Sequence, residues 1–313
     1  MSQEPTILVV GSINMDLVVK APHMPEPGET VLGEGFATAP GGKGANQAVA
    51  VARQGVRCVF LGRIGEDEFG RTLVEGLKAE GIDCDHVLPV AEAHTGVAMI
   101  IVDARGENSI VVASGANYLV TPDDVYHAES LFQRADVVLL QLELPLPTVK
   151  AARALAVKNG CKVVLDPAPA PKSMPPELCQ VDVISPNVSE AQFITGKAAG
   201  EFDERVDKLV ASDLIARGAK AAVLKLGGRG SLVLTAEGEI AKVKPYKVDI
   251  VDTTAAGDAF TAALAVGLAR GVPLTEAAKA ANAAGALACT KFGAQPSMPT
   301  AEEIQALMRD QQG

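Results

Sequence analysis

Asp252-Thr253-Thr254-Ala255-Ala256-Gly257-Asp258 runs without a break into an apolar, helix-like segment over 259–269. The stretch puts one carboxylate, Asp258, at the mouth of a helix. Small residues at Ala255, Ala256 and Gly257 let backbone N–H groups close on a bound anion, and the helix start adds its partial positive charge. An anion repels a neighbouring carboxylate, so the arrangement makes chemical sense where Asp258 must reach a hydroxyl that attacks a phosphoryl group. Taken alone, an Asp in a first helical turn merely complements the macrodipole. What raises Asp258 above that is its company elsewhere in the chain.

The chain has 313 residues, 48% of them hydrophobic, which is ample for a buried core. Its formal charge of −10, with no Lys/Arg-rich tract, argues against nucleic acid or an anionic membrane as partner. A nucleotide pocket here must draw positive potential from backbone amides, helix ends and a few cations. No apolar run approaches the roughly 18 residues of a membrane span. The opening Thr6-Ile7-Leu8-Val9-Val10-Gly11 is too short for a signal-peptide core and follows an acidic residue, Glu4, so it reads as a first strand. Cys58, Cys84, Cys161, Cys179 and Cys289 are odd in number and scattered, without C-x-x-C, which indicates reduced thiols rather than disulfides or zinc. The four histidines lack metal-ligand spacing. A cytoplasmic protein is expected.

Apolar runs alternate with helix-period segments, the pattern of an α/β protein with a largely parallel sheet. Strands are predicted at 7–11, 58–62, 137–142, 162–166, 183–185 and 222–226. Helices are predicted at 46–54, 69–80, 121–134, 146–159, 189–195, 204–217, 259–270, 275–289 and 301–310. Two stretches break the rhythm: 15–20 with 34–38, and 95–102 with 109–113, read as strand pairs, the second closed by the turn-like Asp103-Ala104-Arg105-Gly106-Glu107-Asn108. No linker or repeat separates them, so they form a small sheet inserted into one core.

Neither a Walker motif nor G-x-G-x-x-G occurs, which excludes a P-loop kinase and a dinucleotide oxidoreductase by motif. Gly41-Gly42-Lys43-Gly44-Ala45-Asn46-Gln47-Ala48 is a glycine turn before a helix, where bare amides and Lys43 can hydrogen-bond hydroxyls. Asn14 and Asp16, two apart after the first strand, point to one side of an extended segment and suit a polyol. Glu143 stands at the carboxyl end of a strand, where open α/β sheets carry ligand residues. Asn187-Val188-Ser189-Glu190 reads as a helix N-terminus, and Lys225-Leu226-Gly227-Gly228-Arg229-Gly230 as a strand end with a glycine turn.

The two glycine-containing motifs, in this order and far apart, resemble the signatures of the ribokinase family of carbohydrate kinases. The resemblance covers essentially the whole chain, including Asn14/Asp16, Glu143 and Gly293-Ala294-Gln295-Pro296-Ser297. It implies one three-layer, Rossmann-like α/β domain over 1–313 with a β-sheet lid from about 15–40 and 95–114, and a homodimer through that lid. The implied reaction is ATP-dependent phosphorylation of D-ribose at O5. Asp258 would be the general base, with Ala255, Ala256, Gly257 and Asp258 forming the anion hole, and Asn14, Asp16, Gly42, Lys43, Asn46 and Glu143 would bind the sugar. Asn187, Glu190, Lys225, Gly227, Gly228, Gly230, Gly257 and Asn282 would serve ATP, Glu190 acting on Mg²⁺ through water. Asp252, Thr254, Ala288, Lys291, Gly293 and Ser297 would hold K⁺, mainly by carbonyl oxygens. Many members carry a hydroxyl residue where this chain has Lys225, which could bind phosphate directly. A kinase for deoxyribose, fructose or adenosine, or a non-catalytic sugar-binding regulator, is the alternative.

Overall fold

The computed structural model describes residues 4–196 and 204–311. The first strand, β1 (Thr6–Val10), is apolar at successive positions because both its faces are covered: Ile7 and Val9 enter one hydrophobic cluster, Leu8 and Val10 another. Strands β2 (Asn14–Lys20) and β3 (Gly35–Gly41) leave the core before α1 (Lys43–Arg53) returns to it. β4 (Arg57–Gly65), α2 (Glu68–Ala79) and β5 (Asp83–Val90) extend the sheet on one side of β1. After β6 (Gly96–Val102) and β7 (Asn108–Ala113), the short helices α3 (Pro122–His127) and α4 (Glu129–Phe132) lead to β8 (Val137–Leu140) on the other side of β1. There follow α5 (Leu146–Lys158), β9 (Lys162–Leu165), α6 (Pro176–Cys179), β10 (Val183–Ile184), α7 (Val188–Thr195), α8 (Glu204–Ala216) and β11 (Ala221–Lys225). A hairpin of β12 (Ser231–Thr235) and β13 (Ile240–Val243) precedes α9 (Ala256–Ala269), α10 (Leu274–Ala288) and α11 (Ala301–Gln311).

The nine-stranded sheet has the order β13-β12-β11-β10-β9-β8-β1-β4-β5, parallel from β11 to β5 and antiparallel only at the terminal hairpin. One cluster joins it to α1, α2, α9 and α10, the other to α3, α4, α5 and α8, which gives three layers. The chain runs outward from β1 to β4 and β5, then resumes at β8 on the opposite side. Between β1 and β8 lies the topological switch point, and the crevice at the carboxyl ends of these strands is where such sheets place ligands. A second sheet, β3-β2-β6-β7, pairs β2 with β6 in parallel and is antiparallel at both edges.

Several boundaries differ from expectation. The segment 121–134 is two helices, and the break at Ala128 lets Val125, Leu131 and Phe132 all reach the core. The expected 46–54 helix starts at Lys43 and the 259–270 helix at Ala256, each after a residue in the left-handed region, Gly42 and Ala255. β5 lies at the sheet edge, where its polar positions and Pro89 are tolerated but hide it from sequence patterning. Among the described residues no helix is long and apolar enough to cross a membrane.

Helices α9 and α10 pack closely because small residues line their contact. A Cβ on Gly267 would lie 2.5 Å from the Ala277 Cβ. Gly267→Ala gains about 1 kcal/mol of helix propensity, but overpacking costs about 1–3 kcal/mol against a methyl that cannot turn aside. The variant is expected to lower the denaturant midpoint at unchanged slope, and adding Ala277→Gly should recover much of the loss. A midpoint at or above wild type would show that the helices separate freely.

Candidate active site

At the switch point, Asn14, Asp16, Gly42, Lys43, Asn46, Glu143 and Asp258 line one cavity of about 320 Å³, at the small end of ligand pockets. Ala98 and Ile110 of the second sheet form its opposite wall. The turn after β1 is fixed by Asn117, whose Oδ1 accepts from the Ile13 N–H (2.9 Å) and whose Nδ2 donates to Asn14 Oδ1 (2.7 Å). That engages Asn14's oxygen and leaves its NH₂ for the cavity. Gly41, opposite Asn14 in the β2–β3 pairing, has no room for a side chain: a Cβ there would run into the Asp16 carboxylate. Gly42 caps α1 at φ 88°, a left-handed conformation open to glycine without strain. Glu143 accepts from the Lys43 N–H (3.0 Å) and from Ser12 Oγ, so it anchors the start of α1 as well as facing the cavity.

Asp258 is buried in the first turn of α9 and accepts from Asn46 Nδ2 (2.9 Å) and Gln47 Nε2 (3.0 Å). Asn46 Oδ1 is buried with no partner, an acceptor aimed where a ligand hydroxyl would satisfy it. Ala255, at φ 58°, is the only non-glycine residue with positive φ among the described residues. By ending the preceding loop in this way it lets α9 start with the N–H groups of Gly257 and Asp258 bare of any acceptor among the described residues.

Charge is concentrated here. Burial pushes the Asp258 carboxyl up, Lys43 pulls it down and Asp166 pushes it up again, with a net rise. Burial, then Glu143 and Asp258, raise Asp16 to about 7. Burial opposes the charge on Lys43, but Asp258, Asp166, Glu143 and Glu190 outweigh it and hold the ammonium above its ordinary range. Glu190 is raised by burial, against the pull of Lys225.

A second cavity adjoins the first across the same turn of α9. Ala255 and Asp258 line the first, while Ala256 and Gly257 line the second with Lys225, Gly227, Gly228, Gly230 and Asn282. Its outer wall is apolar, from Tyr246, Val248, Ile250 and Phe260. Asn282 Nδ2 donates to the carbonyl of Lys244 (3.0 Å), which ties this wall to α10. Asn187 and Glu190 line neither cavity. They form a capping box, Glu190 N–H to Asn187 Oδ1 and Asn187 N–H to Glu190 Oε2, both 2.8 Å, so the helix-start reading of this segment holds. A backbone bridge sets Asn187 beside Lys225.

Asp252 draws the loops before and after α9 and α10 together: it accepts from the Thr254 N–H and Oγ and from the Gly293 N–H, at 2.7 to 3.0 Å. Among the described residues, no donor reaches the carbonyl oxygens of Asp252, Thr254, Ala288, Lys291 or Gly293. Free carbonyl oxygens and a carboxylate are of the donor type that a monovalent cation takes. The Lys291 ammonium is turned away to Glu303 (2.9 Å), and Ser297 Oγ donates to the Ala294 carbonyl.

Residues 4–301 match the profile of the pfkB family carbohydrate kinases. The chain belongs to the pfkB family. Among its relatives, the ribokinase of Haemophilus influenzae is 41% identical over 95% of this chain and 96% of that protein. The ribokinase of Bacillus subtilis is 38% identical over 96% and 99%. A structure of Arabidopsis thaliana ribokinase complexed with ribose and ATP superposes with a TM-score of 0.89 at 33% identity, covering 98% of this chain and 99% of that one. The ribokinase fold expected from the motifs is thus the fold of this pfkB kinase.

Sequence reasoning missed Ser12, Gln47, Asn117, Asp166 and Thr261, all buried and all hydrogen-bonded into the site. Asp166 carried a usable signal, since it follows a parallel strand just as Glu143 does. The raised Asp16 has a consequence for stability. Below pH ~4 both folded and unfolded states are protonated. Between there and pH 7 only the folded state keeps its proton, so stability falls as pH rises. Asp16→Asn is therefore expected to stabilise the unliganded protein at pH 8 by on the order of 1–4 kcal/mol and to change little at pH 4, as read from urea unfolding. Equal effects at both pH values would place the Asp16 pKa in the ordinary range.

Proposed function

We propose that the protein transfers the γ-phosphoryl group of ATP to O5 of D-ribose, giving D-ribose 5-phosphate and ADP. The observation that carries this reading is the turn of α9 between the two cavities, with a buried carboxylate on one side and bare N–H groups at the junction. Ribose occupies the first cavity. Asp16 accepts from its hydroxyls, Asn14 Nδ2 donates, and the orphan Asn46 Oδ1 accepts a hydrogen bond from a further hydroxyl. O5 lies against Asp258, which removes its proton as oxygen attacks phosphorus. ATP fills the second cavity, its base against the Tyr246–Ile250 wall and its phosphates reaching Gly257. The bare amides of Gly257 and Asp258, with Lys43, stabilise the charge in transfer, whereas the Ala256 N–H expected to join them is held by the Thr253 carbonyl (3.3 Å); such positioning and electrostatics carry most phosphoryl-transfer catalysis. Glu190 is the carboxylate that would hold, through water, the Mg²⁺ of MgATP, which when bound would supply neutralisation of phosphate charge.

The four-stranded sheet acts as the lid. Phe36, Met99 and Val111 on it are each more than 60% exposed, which supports its covering by a second copy in a homodimer. The protein works in the cytoplasm, in keeping with free cysteines of which four are buried.

A coupled assay of ADP release across ribose, deoxyribose, fructose and adenosine tests the reaction. Ribose is expected to give the highest kcat/KM, and Asp258→Asn to lower kcat by about 10²–10⁴ while both substrates still bind. A variant within threefold of wild type would remove Asp258 from the role of base, and preference for another acceptor would reassign the substrate.

The free carbonyls around Asp252 support K⁺ as an activator that sets the shape of the anion hole. At matched ionic strength and saturating Mg²⁺, K⁺ is expected to raise kcat well above Na⁺ or a bulky organic cation. Equal rates in all three would leave the carbonyl set without a catalytic role, since screening alone cannot tell these ions apart.

A further inference from the structure

Asp166 follows β9, is 1% exposed, and has no part in the ligand sets above. Both its oxygens are engaged. Oδ1 accepts from Lys225 Nζ (2.9 Å), and Oδ2 accepts from Gln47 Nε2 (3.0 Å). Each arm ends on a group of the transfer centre. Gln47 Nε2 also donates to Asp258 Oδ1 (3.0 Å), and its own oxygen accepts from Gln141 Nε2 (2.6 Å), which fixes the way the amide faces. Lys225 Nζ lies over the start of α9, 3.5 Å from where a Cβ on Gly257 would stand. Thr261 Oγ, which accepts from Lys225 (3.3 Å), donates to the Gly257 carbonyl (2.9 Å).

A buried ion pair is weak evidence of a stabilising role, because its desolvation offsets most of its attraction and an apolar pair fills the same space as well. Two arms that end on the general base and on the cation beside the anion hole are not explained by packing. We propose that Asp166 is a positioning residue of the transfer centre: one oxygen aims Lys225 at the phosphoryl group passing over Gly257, and the other holds Asp258 toward the acceptor hydroxyl through Gln47. This rests on the reading of Asp258 as base and of the α9 turn as anion hole.

Asp166 exchanges no proton. The acceptor proton goes to Asp258, the O–P bond to the acceptor forms, and the bond to the ADP oxygen breaks. Lys225 touches the moving group and adds a second cation opposite Lys43. Asp166 keeps that ammonium aimed before ATP arrives, so little reorganisation is left for the reaction. The charged groups facing Asp258 are Lys43 from α1, Asp166 from the end of β9 and Asp16 from β2, while Glu143 and Glu190 lie around Lys43 and Lys225 near Glu190. Asp166 is a like charge to Asp258, so its removal makes Asp258 easier to ionise.

The test is Asp166→Asn, assayed with ribose and MgATP from pH 5.5 to 9 beside wild type, Lys225→Met, Asp258→Asn and the double variant Asp166→Asn/Lys225→Met. In Asp166→Asn the acid limb of kcat/KM for ribose is expected to move down by on the order of one pH unit, and the KM for ATP to rise about five-fold or more as Lys225 loses its aim. The double variant should have an ATP KM within threefold of Lys225→Met alone, because both substitutions remove one contact. An unmoved acid limb with an unchanged ATP KM, while Asp258→Asn is inactive, overturns the role of Asp166 and leaves the base intact. An active Asp258→Asn overturns the base reading instead. Should Asp166→Asn fail to fold by circular dichroism, the double variant, which leaves no uncompensated buried ammonium, carries the pH measurement and Lys225→Met the ATP measurement. A double variant with the wild-type acid limb then overturns the proposal.

Discussion

The proposed reaction depends on keeping Asp258 buried and basic at once. Its direct partners are the neutral amides of Asn46 and Gln47. A lysine or arginine in contact would lower a carboxylate pKa by about 1–3 units and take away the basicity that proton removal needs. Amides orient the oxygens at a smaller cost in basicity, and burial raises the proton affinity further. The donors come from one helix: Lys43, Asn46 and Gln47 stand at i, i+3 and i+4 of α1 and so share a face. Lys43 acts on Asp258 through its field rather than by contact. That face points correctly because Gly42 turns the chain into the helix and Glu143 grips the first N–H.

The parallel sheet supplies the rest. In the neighbouring strands β1, β8, β9, β10 and β11 the carboxyl ends lie along one edge. Just beyond or at those ends stand Asn14, Glu143, Asp166, Asn187 and Lys225. Parallel pairing makes this row possible, since an antiparallel neighbour would offer its amino end instead. The pattern stops at β12, where the chain turns back. Lys225 is thus the last position from which a parallel strand can reach the centre of the site, and its side chain points inward to Asp166 rather than out to solvent.

What could be read from the sequence divides along the same line. The glycine motifs around Gly42 and Gly257 were legible because a turn followed by a helix start is a local event, written in consecutive residues. Asn14, Asp16 and Glu143 were legible through strand ends. Gln47 and Thr261 were not, since they join partners some hundred residues and more away and a buried amide or hydroxyl has no local signature; Asp166 shared the strand-end signal of Glu143, but only its distant partners show what it does. The hairpin of β12 and β13 was also missed: short strands at a sheet edge carry too few apolar positions to stand out. The helix at Ala256 was expected three residues later, because an alanine in the left-handed region is contrary to backbone preference.

That alanine is the clearest case in which the fold works against local preference. A non-glycine residue in the left-handed region costs about 1–2 kcal/mol, and such a conformation persists only where the surroundings fix it. Here they do. Asp252 clamps Thr254 from one side through two hydrogen bonds, and the Ala259 N–H closes the first helical bond on the Ala255 carbonyl from the other. Glycine would relax the turn but would also let it wander. With alanine the bare N–H groups of Gly257 and Asp258 stay aimed at one point between the two cavities. Donors fixed before the charge develops need not reorganise when it does, so in the proposed reaction the strain at Ala255 is the local cost of a rigid anion hole.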